Sequence, residues 1–134
     1  MEFEEAKFKA IKYVGISKKT SFEVTSKLRR IGVSEKVIAN VLEYLKEFNY
    51  INDLDYVDSF IRQNVRFQKY SIYEIKEKLK IKGIKQDVIE DRIDKLIPDD
   101  YEENIINKLT NLKSRTLDET KIKQYLYRRG FKNM

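Results

Sequence analysis

A chain of 134 residues can hold one compact domain or a short array of stacked units, but not two large domains. Its composition, 41% hydrophobic and 37% charged with four glycines and one proline, favours long helices over a turn-rich β-fold. With no Cys, His or Trp, thiolate and imidazole catalysis, Cys/His zinc sites and disulfides are excluded, and a net charge of +6 points to a polyanionic partner.

The N-terminus, Met1-Glu2-Phe3-Glu4-Glu5, lacks the basic start and apolar run of a signal peptide, and no segment approaches the roughly 18 apolar residues of a membrane span. A cytoplasmic protein without a membrane partner is expected. Ala6, Ala10, Tyr13 and Val14 then mark the buried stripe of a first helix. A second runs from Thr20 to Gly32, with Val24 and Leu28 on its inner face. Thr20 and Glu23 have capping-box spacing, and the glycine suits the left-handed residue that ends a helix. A third carries Val37, Ile38, Val41, Leu42 and Leu45 and stops near Asn49.

The pattern then returns. Tyr56, Val57, Phe60, Ile61 and Val65 predict a fourth helix, and Ser71 to Gly83 a fifth, with Ser71 and Glu74 as its box and Ile75 and Leu79 inside. Val88, Ile89, Arg92, Ile93 and Leu96 repeat the third stripe at an offset of 51, and Pro98 closes it. Tyr101, Ile105, Ile106, Leu109 and Leu112 predict a seventh helix. The eighth runs from Asp118 to Gly130, with Ile122 and Leu126 inside and Lys121 where the box would need a glutamate. After Gly130 only Phe131-Lys-Asn-Met134 follows, too short for another helix. The expected fold is all-α: three tandem three-helix repeats, 1–53, 54–100 and 101–134, in an elongated, curved array whose last repeat lacks its final helix.

These residues resemble a known family. Ala10-Ile-Lys-Tyr13, then Glu23-Val-x-x-Lys-Leu28-x-x-x-Gly32, Val37-Ile38, Leu42, and Phe48-Asn-Tyr-Ile-Asn-Asp53-x-Asp-Tyr-Val-x-x-Phe60-Ile-Arg62 are similar to the bacterial RecX regulators of the RecA recombinase. The likeness spans nearly the whole chain and is most specific from Asp53 to Arg66, followed by Ile75, Leu79, Lys82, Gly83 and Ile84. Where the family usually has a glycine before the second unit's cap, this chain reads Phe67-Gln-Lys-Tyr-Ser71. The resemblance implies a monomeric bacterial protein without a catalytic site or cofactor. It would bind in the groove of RecA filaments on DNA and interfere with ATP hydrolysis, strand exchange and co-protease activity; direct contact with DNA is left open.

Charge is unevenly placed. Residues 101–134 hold eight bases and four acids, while in the middle residues 62–85 hold eight bases against two acids and residues 86–104 the reverse. The candidate partner- or DNA-contacting residues are Arg29, Arg30, Arg62, Arg66, Lys69, Lys80, Lys82, Lys123, Arg128 and Arg129. The alternative for each is a solvated cation, complementing a helix C-terminus where it lies near one. Asp87, Glu90, Asp91 and Asp94 form an acidic face that reads as solvated or paired, not as a metal site. Tyr13, Phe60 and Tyr101 are expected in the core, and Tyr70, Tyr73 and Tyr127 as contact candidates. The rival function is a direct single-stranded nucleic-acid-binding module acting without RecA.

Overall fold

A computed structural model of the chain describes residues 1–132, which form eight α-helices and no strand. They are α1 (Phe3–Ile16), α2 (Ser21–Arg30), α3 (Glu35–Glu47), α4 (Asp53–Phe67), α5 (Ile72–Ile81), α6 (Gln86–Leu96), α7 (Tyr101–Lys113) and α8 (Glu119–Arg128). None is long and apolar enough to cross a membrane.

The helix ends lie where the caps and glycines place them. Thr20 caps α2 with a complete capping box, and Asp118 caps α8 by accepting the Lys121 N–H at 2.8 Å. Gly32, Gly83 and Gly130 all take positive φ, near 82 to 90°. At Gly32 and Gly130 the turn is a Schellman motif. Val33 N–H donates to Leu28 O and Gly32 N–H to Arg29 O; Phe131 N–H donates to Leu126 O and Gly130 N–H to Tyr127 O. Asn49 (φ 61°) closes α3 in the same way. Gln68 (φ 51°) holds the left-handed position after α4, in the stretch that departs from the family's usual glycine.

The chain divides into two compact units. The first comprises Met1–Val57 with Lys82–Ile84. Here α1, α2 and α3 pack around Ala6, Ala10, Val24, Leu28, Ile38, Val41 and Leu45. The two alanines leave room for α3 to approach α1 closely. The second comprises Asp58–Ile81 and the described residues from Lys85 onward. In it α5 packs on α6 and α7 on α8, with Ile61, Ile75, Leu79, Ile89, Tyr101, Ile105, Ile122 and Leu126 buried.

Three details correct or extend the sequence pattern. Arg92, on the expected apolar stripe of α6, is half-buried and not apolar: it donates to both carboxylate oxygens of Asp58 at 2.7 and 2.8 Å. Leu112 lies on the predicted α7 stripe yet is 51% exposed, because it falls in the last turn. Phe131, unassigned in the pattern, is fully buried at the position after Gly130, where Schellman turns make an apolar contact back to their helix.

Candidate partner-binding surface

Each unit contains one polar junction, and the two are built alike. In the first, Thr20 Oγ1 accepts the Glu23 N–H at 3.2 Å and donates to Lys82 O at 2.7 Å. Glu23 accepts the Thr20 N–H at 3.0 Å and the Lys82 ammonium at 3.0 Å, and Asp53 accepts both the N–H (2.8 Å) and the hydroxyl (2.5 Å) of Ser21. In the second, Ser71 Oγ accepts the Glu74 N–H at 3.1 Å and donates to Arg129 O at 2.5 Å. Glu74 accepts the Ser71 N–H at 2.9 Å and Arg129 Nη2 at 3.0 Å, and Glu102 accepts the Ile72 N–H at 2.8 Å. Thr20 and Ser71 are wholly buried, so these bonds answer polar groups that would otherwise be costly to desolvate.

The junction cations are held by their partners. The hydrogen bond to Glu23 raises the Lys82 pKa above the ordinary lysine value. Arg129 goes further into the fold: Nη2 also donates to Lys69 O at 2.7 Å, and the guanidinium lies 5.3 Å from the Phe131 ring centre. Beside it Tyr101, 2% exposed, donates to Tyr70 O at 2.5 Å, and burial pushes its pKa up to about 12.

The other candidates differ in freedom. Arg29 is bidentate to Glu35 at 2.6 and 2.9 Å, a bond that also holds the Glu35 carboxyl below its usual range. Lys80 meets Glu77, and Lys123 meets Glu119, each at 3.3 Å and one turn away. Arg66 lies over Phe67 (5.3 Å) and Lys69 over Tyr70 (5.0 Å), with Lys78 also against Tyr70 (4.5 Å). Arg30, Arg62 and Arg128 are exposed and make no ion pair among the described residues. Arg29, Arg30 and Lys82 lie in the first unit and the rest in the second.

The aromatic residues divide in the same manner. Tyr101 is core and Tyr13 and Phe60 are half-buried, while Tyr70 is half-buried with its ring 6.5 Å from that of Phe60. Tyr73 and Tyr127 are exposed, as is Phe67 at 60%. Lys9, Lys12 and Lys19 escaped the sequence reading; with Lys27 they gather around Tyr13 in the first unit.

Capped helices in threes, buried junction hydroxyls and chemistry carried by exposed cations define a class: an all-helical protein of three-helix units. Family models narrow the class. The first three-helix domain of RecX matches residues 6–45 and the second matches residues 52–91. The chain belongs to the RecX family. It is 32% identical over 123 residues to the regulatory protein RecX of Clostridium botulinum (strain Alaska E43), covering 89% of this chain and 57% of that one. To the RecX of Caldanaerobacter subterraneus it is 29% identical over 132 residues, covering 98% and 66%. To that of Streptococcus agalactiae (strain NEM316) it is 33% identical, covering 89% and 48%. The chain thus spans about half to two thirds of these relatives' length. Among solved structures, RecX from Lactobacillus salivarius superposes with a TM-score of 0.81 at 28% identity, covering 98% of this chain and 89% of that chain. A second RecX crystal structure shares the fold, with a TM-score of 0.83 at 23% identity, covering 98% and 69%.

Proposed function

We propose that the chain is a non-enzymatic regulator that binds in the groove of RecA–DNA filaments and lowers their ATP hydrolysis, strand exchange and co-protease activity. The observation that carries this reading is the family: both RecX three-helix domains occur in order on one chain. Units with matching cap and glycine geometry suit the task, since comparable surfaces can meet successive equivalent subunits of a helical polymer. The protein would act as a monomer in the bacterial cytoplasm, without a cofactor. Its division into repeats at 1–53, 54–100 and 101–134 belongs to the same reading.

The residue assignments follow from freedom of the side chains. Arg30, Arg62, Arg66, Lys69 and Arg128 are the best contact candidates, since their charges are not spent on carboxylates within the described fold. Lys82 and Arg129 would act through the junctions that they complete. Co-sedimentation with RecA–DNA filaments tests this. Reversing Arg62, Arg66 and Arg128 to Glu together should weaken association by tenfold or more, on the order of 1.4 kcal/mol. Unchanged association would return all three to the solvated surface.

Exposed Tyr73 and Tyr127, and exposed Phe67 with Arg66 over its ring, favour the second reading, direct single-stranded DNA binding. The two separate by salt. A phosphate-driven binder holds DNA without RecA and weakens steeply as salt rises, whereas the regulator needs the filament.

A further inference from the structure

The first unit presents a groove that none of the candidates above explains. Lys9, Lys12, Tyr13 and Ile16 of α1 line one side and Lys27 and Ile31, at the end of α2, the other, around a space of about 610 Å³. Gly15 also lines it, and a Cβ there would meet nothing within 4 Å. Two properties coincide here. The walls are mainly apolar, and Ile16 is 81% exposed, a cost in water that helix formation alone does not require. The rim is cationic: Lys19 Nζ lies 4.8 Å and Lys27 Nζ 5.7 Å from the Tyr13 ring centre, and Lys12 Nζ lies 5.4 Å from that of exposed Phe8.

No lining residue is acidic, and Lys9, Lys12 and Lys27 make no ion pair among the described residues. Lys27, in the last turn of α2, complements that helix's dipole, but this leaves Lys9, Lys12 and the exposed isoleucine unaccounted for. The complementary ligand has negative charge around an apolar body. A nucleic acid fits less well. Its bases need a free aromatic face, and the Tyr13 ring already has two ammonium groups against it. A protein helix or strand with carboxylates flanking a Leu or Phe supplies both properties.

We propose that this groove docks an acidic amphipathic segment of a partner protein, its apolar side chain on Ile16 and Ile31 and its carboxylates on Lys9, Lys12 and Lys27. The site does not depend on RecA. The test is fluorescence anisotropy of a labelled synthetic peptide carrying Leu and Phe at helical spacing among glutamates, titrated with the full chain. Ile16→Asp and the double change Lys12→Glu/Lys27→Glu, at two exposed positions and one half-buried, should each weaken binding about tenfold or more. A peptide of equal charge with serine for Leu and Phe should bind at least about tenfold more weakly. Circular dichroism of each variant secures the fold. The proposal is overturned if the serine peptide binds equally well, if Ile16→Asp has no effect, or if an oligothymidylate, and not the peptide, is the probe whose binding responds to Lys12 and Lys27. Concentration-dependent self-association that Ile16→Asp abolishes, with no peptide binding, would assign the groove to a second copy instead.

Discussion

The two polar junctions use the same parts and spend them differently. In the first unit a lysine closes the junction, with one carboxylate partner and a side chain 40% exposed. In the second an arginine at the matching place is 21% exposed, bonds to Glu74 and to the Lys69 carbonyl, and packs against Phe131. Where the first has Asn52 before its accepting carboxylate, the second has the buried Tyr101 before Glu102. An ammonium on a flexible stem tolerates a wet junction; a planar guanidinium with several fixed donors can bind several acceptors in a drier one. The second junction is therefore the more consolidated, and Arg129, basic in sequence, is largely consumed by the fold.

Breaking the glycine turns should separate the two junctions, whose Gly83 and Gly130 would each press a Cβ on a neighbouring aromatic side chain (Phe22 for Gly83), most sharply from the open helix end at Gly32. At Gly130 the φ of 90° is joined by crowding, since a Cβ would come within 2.6 Å of Tyr73 Cβ, whereas at Gly32 (φ 89°) nothing lies within 4 Å. Gly130→Ala should cost about 3 kcal/mol and Gly32→Ala about 1 kcal/mol, read by urea denaturation. Next come the cations. Arg129→Ala, which leaves Glu74 and a carbonyl short of a partner, should cost about 2 kcal/mol against about 0.5 kcal/mol for Lys82→Ala in the same assay. Equal losses would remove the distinction between the junctions.

Alkaline titration of the phenols reads the second junction most strongly, through Tyr101. Because the folded Tyr101 pKa is raised to about 12 from 10.0, its neutral form is favoured by folding. That contribution is complete below pH 10, the unfolded phenol value, and is lost as pH rises from there through 12. Ultraviolet absorbance should show one tyrosine ionising last, and Tyr101→Phe should remove that step. The smallest effect is expected at Gln68, a side chain at φ 51°: Gln68→Gly should stabilise by about 0.5 kcal/mol by relieving the left-handed position.

What could be read from the sequence was local. Thr20 with Glu23, the Val24–Leu28 and Ile75–Leu79 pairs, and the three glycines specify caps, stripes and stops through spacings of three, four and twelve residues. The helices and their all-α class follow from these. Partners separated by 30 to 62 positions were not legible: Arg92 announced a buried polar partner only by breaking an apolar stripe, and nothing in spacing distinguishes Asp58 from its neighbours. Phe131 looked like the end of a tail, although the two earlier glycines are each followed by a buried aliphatic residue, Val33 and Ile84, a signal that could have placed it in the core. For the candidate surface, charge alone could not separate Arg128 from Arg129, because the difference lies in which side chain turns toward Glu74. Lys9, Lys12 and Lys19 escaped because only the fold gathers them with Lys27 around Tyr13.

ATP hydrolysis by RecA filaments assembled on single-stranded DNA, followed while the chain is titrated in, tests the proposed regulation of RecA. Hydrolysis should fall progressively and reach its lower plateau at or below one chain per RecA subunit. A rate that stays constant through a molar excess, with the chain folded, would show that it does not act on the filament's ATPase.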